Sequence, residues 1–479
     1  MTLKPIGIDD DGQLPARART ALAGNFADTD TPEGAALRDT IAEGVGGSRP
    51  TTFPAFARAF RVRRLADFSA VSDYDINTDR PAAGVTYYTA PGASGAAAGT
   101  INEPCSFSAA VSKSDVGTIV MLAGSGDGEY FADETDKLLD KNLNILGPGL
   151  APGTKRVLFT GFVRPSSLTW TLHSGNVYKA TIGGNGAQFV IDKRYSHPAV
   201  RGGDHPAYAK KADVASITGP GQWAYVGTEV YVWALGNANL VTDSSFMRVS
   251  KAGFTGLTKS GNRRVYVEGI EVHGTGWASS NVNGVLDTFG ATVGGVSLIK
   301  DVRIRYCPLT GFRPKGDAWS AAINVEVSSC TGDGLGYQSN GGVITEALEV
   351  GCYGHDLWAT DPGAFNINAS TAHDDVTIIR VGTRGERTQG PIFADVSGAK
   401  SWNIACEARD STSPTGQGDV GFQALDSDSE MWLDSCYVTG QNLGVNAGNG
   451  APVHTRDMRY ANNTNNTYLT GTGSSITPY

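Results

Sequence analysis

Apolar and polar positions alternate in short runs along most of the chain, and the runs recur at a nearly fixed spacing. Val302-Arg303-Ile304-Arg305-Tyr306-Cys307, Val325-Glu326-Val327-Ser328-Ser329-Cys330, Leu348-Glu349-Val350-Gly351-Cys352, Trp402-Asn403-Ile404-Ala405-Cys406 and Met431-Trp432-Leu433-Asp434-Ser435-Cys436 each end on a cysteine. The steps between these cysteines are 23, 22, 54 and 30 residues. The step of 54 contains one more run, Ile378-Ile379-Arg380-Val381-Gly382-Thr383, with threonine in the cysteine's place. Alternation of period two marks strands with one buried face. A repeat of 22–31 residues marks stacked coils, so the pattern predicts an all-β solenoid with the cysteines in one structural column.

The rest of the chain is organised around that repeat. Residues 15–23 and 32–42 are predicted as two short helices, each with proline near its start and the second with Asp30 or Thr31 as N-cap. Residues 46–84 read as a linker. Its basic aromatic stretch, Phe56-Ala57-Arg58-Ala59-Phe60-Arg61-Val62-Arg63-Arg64, is expected as a short amphipathic helix packed on the next domain, with docking onto an acidic partner as the functional alternative. From residue 85 the order is strand, short amphipathic helix (Pro104–Val111), strand (Gly117–Gly124) and strand (Asn142–Gly149). This succession resembles the first coils of pectate-lyase-like proteins, whose fold is a right-handed single-stranded parallel β-helix.

Residues of about 160–250 interrupt the repeat with alternating aromatics, including Trp170, Tyr178, Trp223, Tyr225, Tyr231 and Trp233, and predict a small β-rich insertion. The expected division is therefore a helical segment 1–45, a neck 46–84, a β-helix 85–460 and a polar cap or tail 461–479. Second strands echo one another at Gly336-Tyr337-Gln338-Ser339, Ala364-Phe365-Asn366-Ile367, Gly421-Phe422-Gln423-Ala424 and Gly444-Val445-Asn446-Ala447.

Charge excludes some partners. The net charge is −9 and no basic stripe is available to neutralise phosphates, which argues against a nucleic-acid binder. No 18-residue apolar window predicts a membrane span, and the first residues lack a signal-peptide pattern. Glycine, at 62 residues without a Gly-X-Y period, implies many tight turns. No Cys-x-x-Cys pair or histidine cluster supports a metal site, and no cofactor motif is present.

Candidate chemistry follows from the coil register. Glycan hydrolysis needs two carboxylates about 5–9.5 Å apart, and neighbouring coils are about 4.8 Å apart. Asp333 follows Cys330 by three residues and Asp356 follows Cys352 by four, so they are expected at one corner on adjacent coils. His355, Asp361, Asp374, Asp375 and Asp395 are further candidates, each with the alternative of a turn residue bonding local backbone. Galacturonase-like members of the resembled class carry Asn-Thr-Asp, Asp-Asp, Gly-His-Gly and Arg-Ile-Lys motifs. Here only Asp374-Asp375 and a partial Gly354-His355-Asp356 match, so that chemistry is not supported. A lyase needs a base and a cation to stabilise an enolate, for which Arg313 with Lys315, or Arg380 with Arg384, are candidates. Trp223, Tyr225, Trp233, Arg313 and Lys315 are the candidate glycan contacts.

The order of helical start, neck and β-helix resembles bacteriophage tailspike and tail-fibre proteins. The Leu14–Leu22 and Pro32–Asp39 runs resemble the start of minor tail proteins. The resemblance implies a homotrimer in the virion tail, attached to other tail proteins through its N-terminus. It also implies that the β-helix meets a host cell-surface polysaccharide, with or without depolymerising it. A non-catalytic adhesive fibre and a bacterial polysaccharide lyase or glycoside hydrolase are the alternatives.

Overall fold

A computed structural model describes residues 49–65, 69–124, 128–151, 154–182, 186–195, 205–250, 256–274, 284–289, 294–340, 345–355, 367–410 and 419–479. The two helices expected at 15–23 and 32–42 lie outside these residues.

Three parallel sheets run the length of the solenoid. Sheet one has twelve strands, from Val85–Thr89 to Ser475–Pro478. Sheet two has ten, from Glu129–Tyr130 to Arg459–Ala461. Sheet three has six, from Leu335–Gln338 to Asn465–Thr470. Each coil visits the sheets in turn and pairs in parallel with the next, which makes a right-handed parallel β-helix. The helix Phe107–Ser112, N-capped by Ser106, buries Phe107, Ala110 and Val111 at one end.

One corner is invariant. Arg264 and Glu271, Val296 and Arg303, Trp319 and Glu326, Glu346 and Tyr353, Thr377 and Arg384, Lys400 and Glu407, and Glu430 and Tyr437 occupy equivalent places on sheets one and two, and each pair is seven residues apart. Within that offset the chain turns through one left-handed residue. The column is Gly269, Asp301, Asn324, Gly351, Gly382, Ala405, Ser435 and Asp457, with φ between 50° and 70°. Glycine, asparagine and aspartate tolerate this region best. Full coils nevertheless vary. On sheet two, Glu271, Arg303, Glu326, Tyr353, Arg384 and Glu407 are successive partners, giving steps of 32, 23, 27, 31 and 23 residues. The extra length falls entirely between sheet two and the return to sheet one.

This register corrects the single cysteine column. Cys352, Cys406 and Cys436, with Thr383, follow the left-handed residue at the corner between sheets one and two. Cys307 and Cys330 instead follow strands Arg303–Arg305 and Glu326–Ser328, at the far end of sheet two. Both corners enter through a left-handed residue and then turn a small side chain inward, so they look alike in sequence. All six cysteines are buried and free. The thiols of Cys352, Cys406 and Cys436 each donate to a carbonyl one coil back, on Ala322, Arg380 and Asn403, at 3.3 Å.

The core is apolar at one end and polar in the middle. One inward column of sheet one runs Val267, Ile299, Ala322, Glu349, Arg380, Asn403, Leu433. Glu349, Arg380 and Asp395 are wholly buried. Arg380 reaches Asp395 at 3.0 Å, Ser370 at 2.7 Å, Asn403 at 3.1 Å and Glu349 at 3.8 Å. Burial pushes the Glu349 carboxyl upward despite the Arg380 charge.

The outer face of sheet one is apolar too, with Leu298, Ala321, Leu348, Ile379, Trp402 and Trp432 in one row. Residues 49–80 cover it. Phe53 packs 5.3 Å from Trp432 and Phe56 packs 6.1 Å from Trp319, measured between ring centroids. The helix expected over 56–64 is absent. The segment is extended, and Val62–Arg64 pairs antiparallel with Ala70–Ser72.

Between the sheet-two strand Leu158–Thr160 and the sheet-one strand Arg264–Glu268 stands a separate five-stranded sheet, built from Thr171–Ser174, Val177–Thr181, Ala209–Lys210, Gln222–Val226 and Glu229–Trp233. Arg248 fastens this insertion by gripping Glu129 with two 2.8 Å bonds.

Candidate functional site

The outward face of sheet three begins where the coils first reach it. Phe312, Leu335, Ser370 and Phe393 share one inward position, so their neighbours Arg313, Gly336, Thr371 and Ala394 face outward. Lys315, Gln338 and His373 form a second outward row. Asp333, just before the first full strand, leans over the same surface. Together these residues bound a cleft of about 300 Å³, walled by Leu309, Arg313, Asp333, Gln338, Ile367 and His373.

The cleft's groups are interlocked. His373 Nε2 lies 3.4 Å from Asp333 Oδ2. Arg313 donates to Gln338 Oε1 at 2.5 Å and sits 3.5 Å from the buried Asp287 carboxylate. Gln338 in turn donates to Asp374 Oδ2 at 3.1 Å. Gly336 keeps the floor open, since a Cβ there would lie 2.8 Å from Thr310 Cγ2 and 3.3 Å from Asp333 Oδ2. The result is a carboxylate–imidazole pair half open to solvent beside a fixed guanidinium, an arrangement that can hydrogen-bond hydroxyls and attract an anion.

A second polar cluster lies on the outer face of sheet two. His273 Nε2 is 2.8 Å from Glu271, Arg305 bonds Glu326 at 2.9 Å and sits 3.7 Å from Glu271, and His355 Nε2 is 3.2 Å from Glu326. Although these side chains point away from the solenoid core, Glu271, His273, Arg305 and His355 are buried. Tyr306, beside them, exchanges hydrogen bonds with the backbone of His205 in the insertion, each at 2.8 Å. Burial would raise the Glu326 carboxyl, but the His355 hydrogen bond and the Arg305 charge outweigh it and hold it at about 2. Burial likewise opposes ionisation of Glu271, yet Arg305, His273 and Arg156 keep it well below the usual carboxylate range. Carboxyls held ionised in this way make poor general acids. We read the cluster as an ion-pair fastening.

The sequence candidates divide accordingly. Asp333, Arg313 and Lys315 meet at the cleft, and Lys315 has no ion-pair partner among the described residues. The expected pairing of Asp333 with Asp356 rested on treating Cys330 and Cys352 as equivalent, which they are not. Asp356 and Asp361 lie outside the described residues. His355 belongs to the sheet-two fastening, away from Asp333. Asp375 is exposed at a turn, where its backbone N–H donates to Ser339 Oγ at 3.2 Å. Asp395 and Arg380 are corrections, since both sit inside the solenoid. Trp223 is another: it is 1% exposed, and its indole N–H donates to the Tyr208 carbonyl at 2.9 Å, so no ring face is offered to a sugar. Tyr225 packs against Gly186, and Trp233 donates to Asn237 at 2.8 Å, both half-buried in the insertion. The echo at Gly336-Tyr337-Gln338 is two residues out of step, because Leu335, not Tyr337, is in register with Phe422. Gln338 and His373 were missed as site residues. Their only signal was placement two residues beyond an inward position of the same sheet.

No family model matches the chain, and no curated protein matches it. Among solved structures, XylC in complex with xylose is similar at 11% identity over 80% of this chain and 70% of that one, with a TM-score of 0.43. A glycoside hydrolase gives 9% identity over 82% and 96%, with a TM-score of 0.40. The tailspike gp61 of Pseudomonas phage phi297 gives 11% identity over 74% and 70%, with a TM-score of 0.21. Similarity at this level leaves the activity to be read from the chain's own site.

Proposed function

We propose that the protein binds a polysaccharide along the outer face of sheet three, with the Asp333–His373–Arg313 cleft as its anchoring subsite. The cleft carries the reading. It is concave, hydroxyl-matching and continuous with outward residues Thr371, Gln423 and Asn446 set on successive strands. Strand steps of about 4.8 Å repeat polar contacts along a chain-like ligand. The N-terminal resemblance supports the finer reading, a phage tail receptor-binding protein that docks on host-surface glycan as a trimer.

Cleavage is an extension of this proposal, with Asp333 and His373 as the acid–base pair. Its test is incubation of the purified protein with host cell-wall polysaccharide, followed by sizing of the products and titration of binding. Wild type is expected to bind, and Arg313→Gln to bind at least tenfold more weakly. Products that stay full length would leave an adhesin and discard the enzymatic extension. Binding unchanged in both Arg313→Gln and Asp333→Asn would discard the cleft.

A further inference from the structure

A second concave site lies on the opposite side of the coil, where residues 49–65 cross the outer face of sheet one. A cavity of about 290 Å³ opens there, lined by Arg49, Phe56, Arg61, Arg63, Ile379 and Trp402. Its cations are not equally engaged. Arg58, also at its wall, is held by Asp79 through bonds of 2.9 and 3.1 Å and lies 4.4 Å over the Trp319 ring. The guanidinium groups of Arg61 and Arg63 have no acid partner among the described residues. In a chain of net charge −9, two unmatched arginines over an apolar floor stand out.

The backbone beside them is also unmatched. Val62–Arg64 pairs with Ala70–Ser72 on one edge only, and its two-stranded sheet has no third member. The flanking bonds Asp73 N to Arg61 O and Leu65 N to Ser69 O show that odd-numbered residues face the partner strand. The N–H and C=O groups of Val62 and Arg64 therefore face the open edge, and no described residue bonds them. An unpaired edge is a template for strand addition.

We propose that this open edge docks an extended acidic segment of a partner protein, which adds a strand beside Val62–Arg64. Carboxylates of that segment meet Arg61 and Arg63, and its alternate apolar side chains enter the cavity over Ile379 and Trp402. Period-two alternation fits this geometry because successive side chains of a strand face opposite ways. The site is separate from the glycan cleft and stands without it.

The test uses the full chain and a labelled peptide, acetyl-Val-Asp-Val-Glu-Val-Asp-amide, followed by fluorescence anisotropy. Binding is expected to weaken with salt. It should weaken by about fivefold for each of Arg61→Gln and Arg63→Gln, the scale of a partly exposed ion pair. Hydrogen exchange at the Val62 and Arg64 amides should slow when the peptide is bound. Equal binding of the matching Val-Lys peptide, affinity unaffected by the double variant, or displacement by a hexuronate oligosaccharide without amide protection would each overturn the proposal. Circular dichroism of the double variant separates lost binding from lost fold. Slow exchange at Val62 and Arg64 in the free chain would also overturn it, since the edge would then already be occupied.

Discussion

Arg380→Met tests the polar stretch of the core most directly. The guanidinium is wholly buried and contacts Asp395, Ser370, Asn403 and Glu349 at 3.0, 2.7, 3.1 and 3.8 Å. Methionine fills much of the volume but leaves two carboxyls, also wholly buried, without a cation. Breaking a buried pair from one side costs about 3–5 kcal/mol, because the stranded charge keeps its desolvation penalty. Burial already raises the Glu349 carboxyl, and the variant removes the charge that opposes the rise. A carboxyl whose folded value lies above its unfolded value contributes stability below the unfolded value, and that contribution is lost as pH rises through the folded one. The deficit of the variant should therefore be full at pH 7 and shrink toward about pH 4, the unfolded carboxyl range. Urea unfolding followed by tryptophan fluorescence at both pH values measures it, with Trp402 and Trp432 on the adjacent strands as reporters. Adding Glu349→Gln and Asp395→Asn to the variant should restore most of the loss at pH 7. A cost below about 1 kcal/mol, or one equal at both pH values, would refute the reasoning.

Phe53→Ala should cost about 3–5 kcal/mol of local stability, because the ring is 2% exposed and wedged against Trp402 and Trp432. Limited proteolysis within residues 49–65 should then speed up, while the circular dichroism of the solenoid stays unchanged. All six thiols should resist a disulfide reagent in the native protein and react after denaturation, since all are buried and burial pushes those of Cys352 and Cys436 far up. Reaction of two or more native thiols would contradict this burial. Glu326 is held at about 2 against an ordinary 4.5, so its contribution is present above pH 4.5 and lost as pH falls toward 2. Thermal midpoints of wild type should fall more steeply over that window than those of Glu326→Gln, and parallel curves would count against the fastening.

The repeat was legible because each coil keeps its period-two alternation, and the fold class followed from it. The phase of the repeat was not. Tyr306-Cys307 and Gly351-Cys352 both pair a left-handed residue with an inward thiol, although they turn different corners. Only the pairing of Glu326 with Tyr353, 27 residues on, separates them, against 22 from Cys330 to Cys352. The outward charges of sheet two were readable in principle as polar–apolar–polar triplets, Glu271-Val272-His273, Arg303-Ile304-Arg305 and Glu326-Val327-Ser328. Arg380 misled, because an arginine in a strand reads as solvated until its buried partners from two other strands are in place. Asp333, Arg313 and Lys315 were found from charge near a corner. His373 was not, because coils of unequal length bring it there.

The constant seven-residue corner divides the labour within each turn of the solenoid. Sheets one and two form a chassis whose dimensions never change, so neighbouring turns stack without consulting the remainder of their own sequence. Every insertion or deletion is absorbed in the sector that carries the cleft. That sector behaves as an exchangeable cassette, in which residues can be gained, lost or grafted while the stacking problem stays solved. A chain built this way can change what it recognises without having to learn again how to fold.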